Sequence, residues 1–211
     1  MIHLKKFIFN PLQVNTYLVY NDEGYCIIVD PANSNAQEDQ QLAGYIKHKE
    51  LSPVMLINTH CHVDHILGNA FVFDSWGLKP VIHEEGKRIL EAAPDQAVMI
   101  GLSFTKSPAP EKYVQDDEII KLGDDQIEVR YTPGHADGSI CLVMHQEKIL
   151  ISGDVLFAEG VGRTDLPTGS MELLQSSIQE KLMPLDDHFT VYPGHGPSTT
   201  IGNEKAHNPF F

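Results

Sequence analysis

The chain has 211 residues, 42% of them hydrophobic, and a formal net charge of -14. That length suits one compact domain over residues 1–211, built from two similar halves. The acidic balance excludes a nucleic-acid partner, because polyphosphate needs a basic footprint, and the three unpaired cysteines (Cys26, Cys61, Cys141) exclude a disulfide framework or a paired-cysteine zinc ribbon.

Along the chain, Ile2–Phe9, Val14–Tyr20 and Tyr25–Val29 are rich in β-branched and aromatic residues and read as a β-meander, with turns at Asn10-Pro11 and Asn21-Asp22-Glu23-Gly24. Lys5-Lys6-Phe7-Ile8-Phe9 imitates the start of a secretory signal, but Asn10-Pro11 ends it too early. No stretch approaches the length of a membrane span. The expectation is a soluble, cytoplasmic protein with a small-molecule substrate and no membrane partner. Ala36–Lys49 predicts a helix with Leu42, Tyr45 and Ile46 on one face. Residues 53–58 predict a buried strand that leads into a His-rich run, and helix is expected again from Asp64 or His65 through Phe73.

Pro80–His83 predicts a short strand, followed by helical segments over 84–92 and 95–100 and an exposed connector over 104–112. Strands are then expected at 118–122, 126–131, 140–145 and 148–151 in close succession, a helix over 171–183, and a last buried strand over 189–192. The tail from Gly194 reads as irregular, with Phe210 and Phe211 docked on the body. Strands followed by helices thus occur twice, which suits two halves packed sheet on sheet with helices outside, an α/β (α+β) sandwich.

The chemistry concentrates in seven residues. His60, His62, Asp64 and His65 fall within six positions, directly after the buried strand; His135, Asp154 and His195 follow singly, in Pro-Gly-His, Ser-Gly-Asp and Pro-Gly-His. Imidazole and carboxylate are ligands for zinc and similar divalent ions. A His-x-His pair on extended chain can reach one ion, and a turn toward helix lets Asp64 and His65 reach a second. Asp154 has two oxygens and can bridge, leaving His135 and His195 to complete one ion each. His3, His48, His83, His145, His188 and His207 read as ordinary surface or hydrogen-bonded histidines, and Cys61 as a small buried filler pointing away from the ions.

The series Thr-His-x-His-x-Asp-His, Gly-His, Gly-Asp, Pro-Gly-His resembles the metallo-β-lactamase superfamily, most closely its glyoxalase II-related branch and the short YcbL-like hydrolases within it. Asn15-Thr16-Tyr17, Gly162-Arg163-Thr164-Asp165 and the Asn-Pro-Phe tail carry the same likeness. The resemblance implies a four-layer αβ/βα sandwich. It implies one metal on His60, His62 and His135, another on Asp64, His65 and His195, and Asp154 bridging them together with a hydroxide that Asp64 orients. Two divalent ions are expected, zinc first, with iron or manganese also suited to the donor set.

The implied reaction is hydrolysis of a small thioester of the hydroxyacylglutathione type. Arg163 is a candidate to pair with a substrate carboxylate, against a structural ion pair with Asp165. Sixteen residues follow His195, too few for the helical C-terminal domain with which full-length glyoxalase II binds glutathione. Aspartate at position 154 and the lack of a signal segment speak against antibiotic hydrolysis. The alternative in the same fold is a mononuclear iron persulfide dioxygenase using His60, His135 and Asp154.

Overall fold

A computed structural model describes all residues, Met1–Phe211. The first sheet has six strands in chain order: β1 (Ile2–Phe9), β2 (Val14–Asn21), β3 (Tyr25–Val29), β4 (Ser52–Ile57), β5 (Pro80–His83) and β6 (Lys112–Val114). β1, β2 and β3 run antiparallel, whereas β3 to β6 are parallel. The parallel part needs crossovers, supplied by α1 (Ala36–His48), α2 (Asn69–Trp76) and α3 (Lys87–Ile100).

The second sheet also has six strands. Its order is β14 (Thr199–Thr200), β13 (Thr190–Pro193), β10 (Ile149–Gly153), β9 (Ile140–Met144), β8 (Asp125–Tyr131) and β7 (Ile119–Leu122). A small hairpin, β11 (Leu156–Phe157) with β12 (Gly160–Val161), projects from it. The helices α4 (Met171–Ser177) and α5 (Ile201–His207) complete the chain.

Period-two alternation divides each strand between two cores. Tyr17, Val19, Ile27, Val29, Ile140, Leu142 and Met144 enter the cluster between the sheets. Leu18 and Ile28 face the other way and meet Leu42, Ile46 and Val72 of α1 and α2. Cys141 and Val143 meet Leu174, Ile178 and Ile201 on the outer side of the second sheet. The result is the four-layer sandwich that the motif series implies.

Several local expectations change. Helix does not start at Asp64. Val63–His65 forms one 3₁₀ turn, and α2 starts at Asn69, after Gly68 N–H donates to Pro31 O at 2.7 Å. The expected break near Pro94 is absent, and α3 runs through it. Proline inside a helix costs about 3 kcal/mol, but Ile89, Leu90, Ala93 and Ala97 on both sides of it are buried in one cluster with Cys61 and Ile66. That shared burial holds the helix together. The expected helix over 171–183 is α-helical only to Ser177 and continues as a wider π turn over Ile178–Leu182.

The tail is ordered rather than irregular, because Thr200 caps α5 by accepting from Asn203 N–H. Phe210 and Phe211 are exposed, 40% and 39%. Asn208 does the docking instead, its Nδ2 donating to Gly160 O at 3.1 Å and to Glu204 Oε2 at 2.8 Å.

Candidate metal centre

The seven sequence candidates meet in one place, at the ends of strands from both sheets. β4 delivers His60 and His62, and the 3₁₀ turn presents Asp64 and His65. His135 follows β8, Asp154 follows β10, and His195 follows β13. Two turns depend on glycine. At Gly194 a Cβ would lie 2.1 Å from Asp154 Oδ1 and 2.7 Å from His65 Cε1, so any side chain would collide with the cluster. Gly134 has a φ of +127°, and a Cβ there would lie 2.2 Å from Leu174 N.

The donor atoms form two triads. His60, His62 and His135 offer one set within 4.8 Å of one another, and Asp64, His65 and His195 offer another. His62 Nδ1 faces His135 Nε2 at 2.9 Å, and His195 Nε2 lies 3.5 Å from Asp64 Oδ2 and 3.3 Å from His65 Nε2. Donors on a tetrahedron with bonds of about 2.1 Å are about 3.4 Å apart, so these separations suit a common ion in each triad. Asp154 stands between them. Its Oδ1 is 3.4 Å from His65 Nε2, and its Oδ2 is 3.8 Å from His135 Nε2 and 3.5 Å from His195 Nε2.

The fit to metal is also visible in what is unpaired. His60 Nε2 and Asp154 Oδ1 are buried side-chain atoms without a hydrogen-bond partner. Buried polar atoms are rarely left so, and both belong to the donor cluster. The opposite ring nitrogens are engaged. His135 Nδ1–H donates to Arg163 O at 2.8 Å and His195 Nδ1–H to Leu12 O at 3.0 Å. His65 Nδ1–H donates to Asp30 Oδ2 at 3.0 Å, and His60 Nδ1 lies 3.2 Å from Thr59 Oγ1. These bonds select the tautomer that aims each Nε2 at the cluster.

Asp30 is the participant that sequence reasoning missed. It also groups with His60 and His65 as a possible donor set, but its oxygens are taken. Thr59 N–H donates to Oδ1 at 2.7 Å, and Thr59 Oγ1–H donates to Oδ2 at 2.6 Å alongside His65. It orients donors rather than adding one. The only local signal was an acidic residue at a strand end before Pro31.

The triads differ electrostatically. Burial, together with the neighbouring imidazoles, pushes His60 well below the ordinary histidine range and His62 down to about 4. Burial lowers His135 as well. Burial also opposes charge on His65 and His195, but there the carboxylates Asp154 and Asp64 outweigh it and raise both. Burial likewise opposes ionisation of Asp154, and His65, His135 and His195 overcome it, holding the carboxyl far below the usual range.

The remaining histidines stay outside. His3 pairs with Asp22, His145 with Glu128, His83 stacks on Tyr131 with ring centroids 4.0 Å apart, and His207 bonds Asn203 O. Cys61 is buried in the cluster beneath α3. Arg163 is exposed, with Nε and Nη2 each 2.7 Å from the Asp165 carboxylate, so its side chain forms the ion pair while its carbonyl serves His135.

A family profile described as Metallo-beta-lactamase superfamily matches residues 9–195, from the end of β1 to the last histidine of the second triad. The chain belongs to this superfamily. Among its superfamily relatives, it is 38% identical over 204 residues to "Hydroxyacylglutathione hydrolase GloC" of Haemophilus influenzae, covering 94% of this chain and 92% of that one. Among solved structures, it superposes on BLEG-1, titled a B3 metallo-beta-lactamase, with a TM-score of 0.90 and 34% identity over 99% of each chain. It also superposes on TTHA1623, titled as a di-iron-bound form, with a TM-score of 0.88 and 31% identity over 98% of this chain and 100% of that one. The fold is therefore that of the superfamily, the chain is a metallo-hydrolase of it, and its His/Asp cluster is suited to two ions. No helix is long and apolar enough to cross a membrane.

Proposed function

We propose that this chain hydrolyses small thioesters of the hydroxyacylglutathione type with two divalent ions. One ion would be held by His60, His62 and His135 and the other by Asp64, His65 and His195, with Asp154 shared. The observation that carries the reading is Asp154, a mostly enclosed carboxylate with a buried Oδ1, within 3.8 Å of an imidazole nitrogen from each triad. The name of the Haemophilus influenzae relative supports the substrate class.

Divalent ions, zinc first, would supply acidification of water near neutral pH and polarisation of the scissile carbonyl. The protein does the rest. Asp64, partly open to solvent where His65 is fully enclosed, would accept a hydrogen bond from the attacking water at a carboxylate oxygen. Asp30, Thr59, Arg163 O and Leu12 O fix the imidazoles, so no donor has to reorganise during the reaction. A thiolate leaves readily, so no dedicated acid is required on that side. Arg163 keeps Nη1 outside its pair with Asp165, and that group is the candidate for a substrate carboxylate. A small-molecule substrate and a cytoplasmic setting belong to the same proposal.

The persulfide dioxygenase alternative needs one iron; a complete second triad favours the hydrolase. β-Lactam hydrolysis is the reading favoured by likeness to BLEG-1. One experiment separates all three: metal quantification joined to turnover of thioesters, persulfides and β-lactams. The proposal expects about two ions per chain and thioester cleavage above the other substrates. A single tightly held iron with oxygen uptake on persulfide, or β-lactam turnover exceeding that of thioesters, would overturn it.

A further inference from the structure

The two later histidines are fixed from different places. His135 is held from within the second half. Besides Arg163 O, its turn is braced by Ser170 N–H to Gly134 O and by Ser177 Oγ–H to Pro133 O, each at 2.8 Å. The turn from Pro193 to Gly196, which carries His195, belongs to the same half but is gripped by the first. Asn15 on β2 donates its backbone N–H to Gly194 O at 2.6 Å. Its Nδ2 donates to Pro193 O at 2.8 Å and to Gly196 O at 2.9 Å. Tyr17, two residues along the strand and so on the same face, donates its Oη–H to Pro193 O at 2.6 Å. Val14 forms an isolated β-bridge with His195, and Leu12 O takes the His195 Nδ1 proton.

The Asn15 amide has an unusual balance. The residue is 1% exposed, both donor bonds of Nδ2 are made, and its Oδ1 has no partner. A buried acceptor without a partner destabilises the fold. An amide at this position is therefore explained by what it donates, and everything it donates goes to the His195 turn.

We propose that Asn15 and Tyr17 are positioning residues for the second triad. By fixing the His195 turn they set the affinity of the Asp64, His65 and His195 site for its ion, while the His60, His62 and His135 site does not depend on them. This rests on the two-ion reading above. The physical ground is preorganisation: His195 Nε2 must meet donors that come from the other half, and a turn free to shift would have to be ordered when the ion binds.

The test is a zinc titration of metal-free protein by calorimetry, repeated with cobalt and followed by its absorption spectrum, so that two binding events are resolved without measuring activity. In Asn15→Ala one binding event should keep the parent's affinity and the other should weaken by about 10- to 100-fold. Tyr17→Phe, which removes a single hydroxyl, should shift the second site the same way by less, and it decides the question where Asn15→Ala yields no folded protein. Ile127→Val, in the core between the sheets, should lower thermal stability and leave both affinities at the parent's values. Equal weakening of both sites in the β2 variants, no change in either, or the same split in Ile127→Val would each overturn the proposal. A parent chain that binds one ion or none overturns the two-ion reading itself, and that result is seen before any variant is made.

Discussion

The two triads have similar donors and opposite temperaments. The first, His60, His62 and His135, is all imidazole, and burial keeps it neutral and ready to bind. The second, Asp64, His65 and His195, contains a carboxylate, and the carboxylates nearby raise its imidazoles, so protons compete with an ion there more than at the first. The supports differ as well. Thr59 and the Arg163 carbonyl serve the first; Asp30 and the β1–β2 hairpin serve the second. The difference teaches that one apparent cluster is two sets of donors with separate supports, with Asp154 between them.

The sharpest way to break the comparison is to remove the joint. Asp154→Ala takes away the carboxylate that reaches both triads, and elemental analysis should find metal content falling from about two ions per chain to about one or fewer, with turnover reduced by about a thousandfold. Retention of both ions would mean that Asp154 is not shared.

A smaller and one-sided effect is expected from Asp30→Asn. Three donors, Thr59 N–H, Thr59 Oγ1–H and His65 Nδ1–H, share the two carboxylate oxygens, and an amide has only one oxygen to offer them, so the second site should weaken by about 10- to 100-fold, read by competition with a chelator. The first should change less, through Thr59 alone.

The mildest probe is pH. Imidazoles of the first triad are lowered, so they stay unprotonated and able to bind well below neutrality; those of the second are raised and gain protons sooner as pH falls. In a metal titration between pH 7.5 and pH 5.5 the second binding event should fade first. Loss of the first event ahead of the second would reverse the assignment of the triads.

How much of this could be read from residues alone depends on range. The donor set was legible because His60, His62, Asp64 and His65 are local in sequence and have no structural reason to crowd together. β2 and β3 were legible because β-branched and aromatic residues bounded by turn signals mark a strand even where both faces are buried. What escaped were features decided by distant partners. Asp30 looks like the end of a strand until Thr59 and His65 are seen on its oxygens. Pro94 reads as a helix breaker until the common burial of Ile89 and Ala97 is known. The terminal phenylalanines looked like anchors, but the burial belongs to Asn208 and to the wholly buried Glu204 carboxylate, which also accepts from Glu159 N–H in the β11–β12 hairpin.

Each triad draws side chains from both sheets: His60 and His62 meet His135, and Asp64 and His65 meet His195. The cluster thus spans the two sheets of the sandwich as well as forming the candidate site. Ions that enter it bind only the assembled pair of halves, so their binding energy adds to the cohesion of the fold. On the two-ion proposal, resistance to unfolding becomes a joint property of the polypeptide and the free-ion concentration around it, and a chelator is expected to lower the melting temperature of the ion-loaded protein.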